Sequence, residues 1–99
     1  MGLIITSEIN TDSGTTSNAY VNLSRFDVMK DTGANAFVNL FLNKETRDLD
    51  AGNTCSSKVI VKRFGINAEE LDSSAIYNSL YARLRFILEE AGFTVEDDI

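Results

Sequence analysis

Apolar and polar positions alternate with period two along much of the first two thirds of the chain and recur at three- to four-residue spacing in the last third. Alternation puts successive side chains on opposite faces of a strand, and the longer period lines one face of a helix. A first strand is expected over residues 3–9. The polar run of residues 10–18 is rich in Gly, Ser, Thr, Asn and Asp and reads as a loop. The next strand covers 19–29, where the apolar positions change parity, odd at Val21 and Leu23 and even at Phe26 and Val28. A parity change inside one strand predicts a β-bulge or a bend. Residues 30–33 (Lys-Asp-Thr-Gly) form a turn.

The third strand, residues 36–43, is apolar on both sides. Ala36, Val38, Leu40 and Leu42 share one face, and Phe37, Asn39 and Phe41 share the other. Residues 44–53 are polar and read as a loop with room for one helical turn. A fourth strand is expected over 54–64, centred on the β-branched run from Lys58 to Lys62. Gly65 and Ile66 break it. Asn67 followed by Glu70 has capping-box spacing, so a short helix is expected there. The main helix, capped by Asp72 or Ser73, runs to about Ala91. Ile76, Leu80, Leu84, Ile87, Leu88 and Ala91 form its dry stripe, widened by Tyr77, Tyr81 and Phe86. Gly92 stands where a left-handed residue ends a helix. Residues 93–99 form an acidic tail, either a last short strand or a mobile end.

These elements predict an α+β fold, an antiparallel sheet of about four strands with one long C-terminal helix packed on it. The 99 residues make a single domain. Its parts are an N-terminal strand and loop arm (1–18), a sheet region (19–64), a helical segment (67–92) and the tail (93–99).

Composition narrows the chemistry. With no histidine and a single cysteine, Cys55, the chain lacks the residues for Ser-His-Asp and Cys-His nucleophilic sites and for the usual zinc sets. No cofactor is expected. Cys55 reads as a small buried hydrophobe rather than a reactive thiol. The glycine-containing loop at 10–18 has neither the spacing nor the lysine of a phosphate-binding loop. Glu69, Glu70 and Asp72 suit a helix N-terminus. Glu96, Asp97 and Asp98 lack the spacing of an EF-hand loop. The formal charge of −6 opposes nonspecific binding to nucleic acid or an anionic membrane. There is neither an apolar run of about 20 residues nor a basic, signal-like start. The first six residues fit the spacing of a myristoylation signal, and read more simply as the first strand.

The two-faced third strand has a further implication. A small domain can hide only a modest core, and rings on both sheet faces ask for additional cover. Phe37, Phe41, Tyr77 and Tyr81 are the expected interface residues, with Leu3 and Ile5 on an N-terminal arm available for strand exchange.

The chain also resembles a loose group of small virion proteins of tailed bacteriophages. The resemblance is carried by the stretch from Gly14 to Val21, by Lys30-Asp31, by the run from Phe37 to Leu40, by Cys55, and by the helix from Ile76-Tyr77 to Leu84. The segment after Cys55 and residues 62–73 depart from that pattern. The resemblance implies a non-enzymatic structural subunit of the tail, baseplate, neck or capsid surface, located in the virion. Its partners would be copies of itself, as a homo-oligomer, and neighbouring virion proteins, with no nucleic acid or membrane. The alternative is a small acidic module that binds or inhibits a host protein. A carboxylate enzyme is the third and weakest reading.

Overall fold

The computed structural model describes residues 2–29, 33–49, 52, 54–71 and 75–98. Along them run β1 (Gly2–Ile5), β2 (Ile9–Thr11), β3 (Gly14–Thr16), β4 (Ala19–Met29), β5 (Gly33–Phe41), α1 (Lys44–Leu49), β6 (Arg63–Asn67), α2 (Ile76–Glu90) and β7 (Val95–Asp98). Strands β6-β5-β4-β1-β7 make a five-stranded antiparallel sheet, and β2 and β3 make a separate two-stranded hairpin. The α+β class and the C-terminal helix agree with the sequence. The main sheet has five strands, one more than expected, because the acidic tail supplies β7.

The parity change in β4 is a register shift. Leu23 faces Val38 and Arg25 faces Phe37, which leaves Ser24 as the extra residue. The bulge keeps Val21, Leu23, Phe26 and Val28 on the same side of the sheet. That side carries the core: Leu3, Ile5, Val21, Ala36, Leu40, Phe64, Ile66 and Val95, with Leu80, Leu84 and Leu88 from α2. Each of those leucines is essentially unexposed, and burying one contributes about 1.5–3 kcal/mol.

Helix α2 packs against β1, β6 and β7. A flat sheet of five strands would be about 19 Å from edge to edge, wider than a helix of about 10–12 Å. Contact with both edge strands therefore requires the sheet to curl around the helix. The helix ends as its glycine predicts. Gly92 has φ 95°. Its amide donates to the Glu89 carbonyl at 3.0 Å, and the Phe93 amide donates to the Leu88 carbonyl at 3.1 Å. That pair of bonds is a Schellman motif, and it turns the chain back toward β1.

Several local expectations need correction. The polar run 10–18 contains a hairpin: Thr11 pairs with Gly14 across a two-residue turn. The Thr15 hydroxyl donates to Asn10 Oδ1 across the pair at 2.7 Å. Residues 54–62 hold no strand, only an isolated bridge between Cys55 and Leu40, and the fourth strand lies further on, at β6. Only a turn follows Asn67, whose carbonyl accepts from Glu70 and Leu71. Helix α2 starts at Ile76 with no acidic residue in its first turn, so Glu69 and Glu70 do not occupy a helix N-terminus. The proposed caps Asp72 and Ser73, and residues 30–32 of the expected turn, lie outside the described residues.

Candidate interaction surfaces

The six residues singled out for an interface separate into two groups. Four of them serve the interior. Leu3 and Ile5 are 1% and 0% exposed, because β1 is hydrogen-bonded on both sides, to β4 and to β7. A strand held between two neighbours is not a free arm, which corrects the expectation of strand exchange. Phe41 is also enclosed, on the sheet face opposite α2. Its ring packs against Tyr20 with centroids 6.2 Å apart, and the Arg47 guanidinium from α1 lies 5.1 Å from the centre of the Tyr20 ring. Six residues of helix, read from sequence as little more than a loop, thus cover this end of the second face. Tyr81 is buried on α2, and its hydroxyl accepts the Leu23 amide at 3.0 Å, beside the bulge. Burial pushes its ionisation up, while the Leu23 hydrogen bond works against the shift.

The other two reach solvent, on opposite sides of the sheet. Phe37 is half-buried beneath the Arg25 guanidinium, 4.4 Å from its ring centre. Tyr77 is 54% exposed at the start of α2. It meets Phe26 edge-on at 5.1 Å and stacks on Tyr81 at 6.5 Å. Two residues beyond Phe26, on the same face, Val28 is also exposed. Tyr77, Phe26 and Val28 therefore form an apolar lip where the long β4–β5 ladder runs past the helix. The alternation of β4 pointed to Phe26 and Val28 as inward-facing. It gave no sign that α2 stops short of covering them.

A cleft of about 640 Å³ opens between β2, residues 56–62 and Phe93, with Ile9, Val59, Lys58 and Lys62 in its walls. The hairpin is fastened there to the segment after Cys55. The Asp12 amide donates to the Ser56 carbonyl at 2.9 Å, and the Ser56 amide donates to Asp12 Oδ1 at 2.7 Å. Cys55 is half-buried nearby. Burial raises its thiol pKa, a hydrogen bond with Thr11 opposes that rise, and Asp12 adds to it. A raised pKa leaves less thiolate at neutral pH, which makes the thiol a poor nucleophile. Among the described residues, no group of three His, Cys, Asp or Glu side chains is placed to hold a metal ion. No described helix is long and apolar enough to cross a membrane.

Comparison with known proteins finds no matching family model, no matching curated protein and no matching solved structure.

Proposed function

We propose that this chain is a non-enzymatic structural subunit of a tailed-phage virion, acting through contacts with its own copies and with neighbouring virion proteins. The observation that carries the reading is the lip formed by Tyr77, Phe26 and Val28, an aromatic-aliphatic surface left outside a core that is otherwise well enclosed. Large apolar groups gathered on one rim, with an aromatic ring at their centre, are the chemistry of interface cores. The resemblance to small phage virion proteins supports the assignment to a particle.

Two measurements test it. Light scattering coupled to gel filtration should find the wild-type chain as a multimer, and Tyr77→Ser with Val28→Ser should weaken association while the fold is retained. Mass spectrometry of purified phage particles should find the chain at stoichiometric copy number. A wild-type monomer at high concentration, absent from particles, would support the acidic binding module instead.

A further inference from the structure

The five-stranded sheet is open at both ends, and its two edges differ in charge. On the β6 side, residues 54–68 contain Lys58, Lys62 and Arg63 and no acidic residue. On the β7 side, residues 89–98 contain Glu89, Glu90, Glu96, Asp97 and Asp98 and no basic residue. Among the described residues, the basic side chains of the first group also lack a carboxylate partner. Arg25, Arg47, Arg83 and Arg85 each have a carboxylate within 4 Å: Asp27, Asp48, Glu70 and Asp97 respectively. Among the described residues, Lys58, Lys62 and Arg63 have none. In a chain with six net negative charges, Lys62 and Arg63 at the start of the edge strand, without a carboxylate within 4 Å among the described residues, are a local departure from the molecule's overall field.

The main chain on the two edges is arranged to match. The Val38 amide donates to the Lys62 carbonyl at 2.9 Å, so by the alternation of an antiparallel ladder the main-chain groups of Arg63 and Gly65 face outward. Among the described residues, nothing hydrogen-bonds to them. Gly65 brings no side chain that would keep another strand away. On the other edge, the Thr6 amide donates to the Thr94 carbonyl at 2.8 Å, which turns the groups of Val95 and Asp97 outward. The Val95 carbonyl already accepts from Arg85 at 3.1 Å and keeps a second lone pair. The amide and carbonyl of Asp97 face away from β1.

We infer that β6 of one copy binds β7 of a second copy, continuing the sheet from molecule to molecule with Lys62 and Arg63 set against the acids of the neighbour's last strand. This rests on the subunit reading above and adds a contact of its own beside the apolar lip. The contact is head-to-tail: each copy offers one basic and one acidic edge, so every addition leaves a new site open. Such an interface builds a ring if its rotation closes and a filament if it does not. Main-chain pairing supplies the hydrogen bonds, and the opposite charges select this pairing over β6 with β6 or β7 with β7, where like charges would meet.

The test uses two charge-reversed variants of the full chain, K62E/R63E and E96K/D98K. The second leaves Asp97 and its ion pair with Arg85 in place, and both remain net acidic. Sedimentation velocity of the wild type should show multimers whose association weakens by about tenfold or more as salt rises from about 0.15 M to about 1 M, where the screening length shrinks from about 8 Å to about 3 Å. Each variant alone should be folded by circular dichroism and should associate at least about tenfold more weakly than the wild type by sedimentation. Mixed one to one, they should regain association, because the intact basic edge of one meets the intact acidic edge of the other, and the two reversed edges, acidic β6 and basic β7, are complementary in turn. If the wild type is multimeric but the variants associate as it does, or the mixture associates no better than either variant alone, the edge pairing is wrong while the subunit reading stands. If only K62E/R63E loses association, β6 pairs with β6 and the inference is overturned. A wild type that is monomeric at every concentration overturns both readings. Should either charge variant fail to fold, Gly65→Pro, which removes one outward amide from an edge strand without changing charge, tests the same contact.

Discussion

Replacing Tyr81 with phenylalanine separates an interior role for this ring from an interface role. The substitution keeps the ring and removes only the hydroxyl that accepts the Leu23 amide at 3.0 Å. The lost bond contributes about 0.5–1.5 kcal/mol net, and an orphaned buried donor costs about 1–3 kcal/mol. Leu23 is half-buried, so water reaches its amide in part and the cost falls toward the lower half, about 1–2 kcal/mol. For a domain of this size that corresponds to a fall in Tm of about 4–16 °C. Urea unfolding followed by far-ultraviolet circular dichroism measures it directly. The midpoint should drop with the slope unchanged, since the surface exposed on unfolding is the same. Loss of less than about 0.3 kcal/mol, well under one net hydrogen bond, would show that the hydroxyl does not serve the bulge. Unchanged stability with altered association would place Tyr81 at an interface and refute its assignment to the core.

The same pair of proteins carries a pH signature. Burial raises the Tyr81 ionisation, so the folded state holds the phenolic proton more tightly than the unfolded chain. That contribution is complete below the ordinary tyrosine value of about 10 and is lost as pH climbs through the folded value. The stability gap between wild type and Tyr81→Phe should therefore narrow above about pH 10; a widening gap would contradict the burial. At Gly33, with φ 122°, an added Cβ would run into the Ile66 backbone, whereas at Gly92, with φ 95°, it would meet open space. Gly92→Ala should cost about 1 kcal/mol, and Gly33→Ala upward of about 3 kcal/mol by denaturant titration. Arg85→Ala removes the bonds to Asp97 and to the Val95 carbonyl. Amide exchange should speed up across β7 ahead of the rest of the sheet, and Arg85→Lys, which lacks the planar fork, should restore little of the protection.

Much of this architecture is legible in sequence where one physical signal dominates. The parity change between Leu23 and Phe26 becomes the bulge because a period of two cannot slip without an extra residue. Gly92 becomes the helix stop because the left-handed conformation is costly for any other residue. Legibility fails where tertiary packing decides. The run Val59-Ile60-Val61 has strand composition, yet Ile60 is buried as a loop residue, Val59 is exposed, and the strand forms five residues later. The stretch 10–18 has turn composition, yet threonine hydroxyls and cross-strand pairs make a hairpin of it. The expected interface residues are placed differently from one another for a related reason. Two-faced patterning in β5 shows that both faces need cover, but cannot tell cover by α1, as over Phe41, from partial exposure, as at Phe37. That Lys62 and Arg63 have no carboxylate partner among the described residues is not legible in the sequence, because composition reports charge and not partners.

The placement of β1 between β4 and β7 also constrains how the protein is born. The Thr6 hydroxyl and the Thr94 carbonyl it binds are 88 positions apart, and β1 gains its second neighbour only through that distant segment. While the ribosome is still delivering α2, the nascent sheet stops at β1, with one flank bare and sticky. Closure of so long a loop comes late and slowly. In a crowded cell, where many identical chains emerge side by side from neighbouring ribosomes, that interval is when the wrong strand can be captured. A chaperone, or a fast-docking α2, would have to guard it.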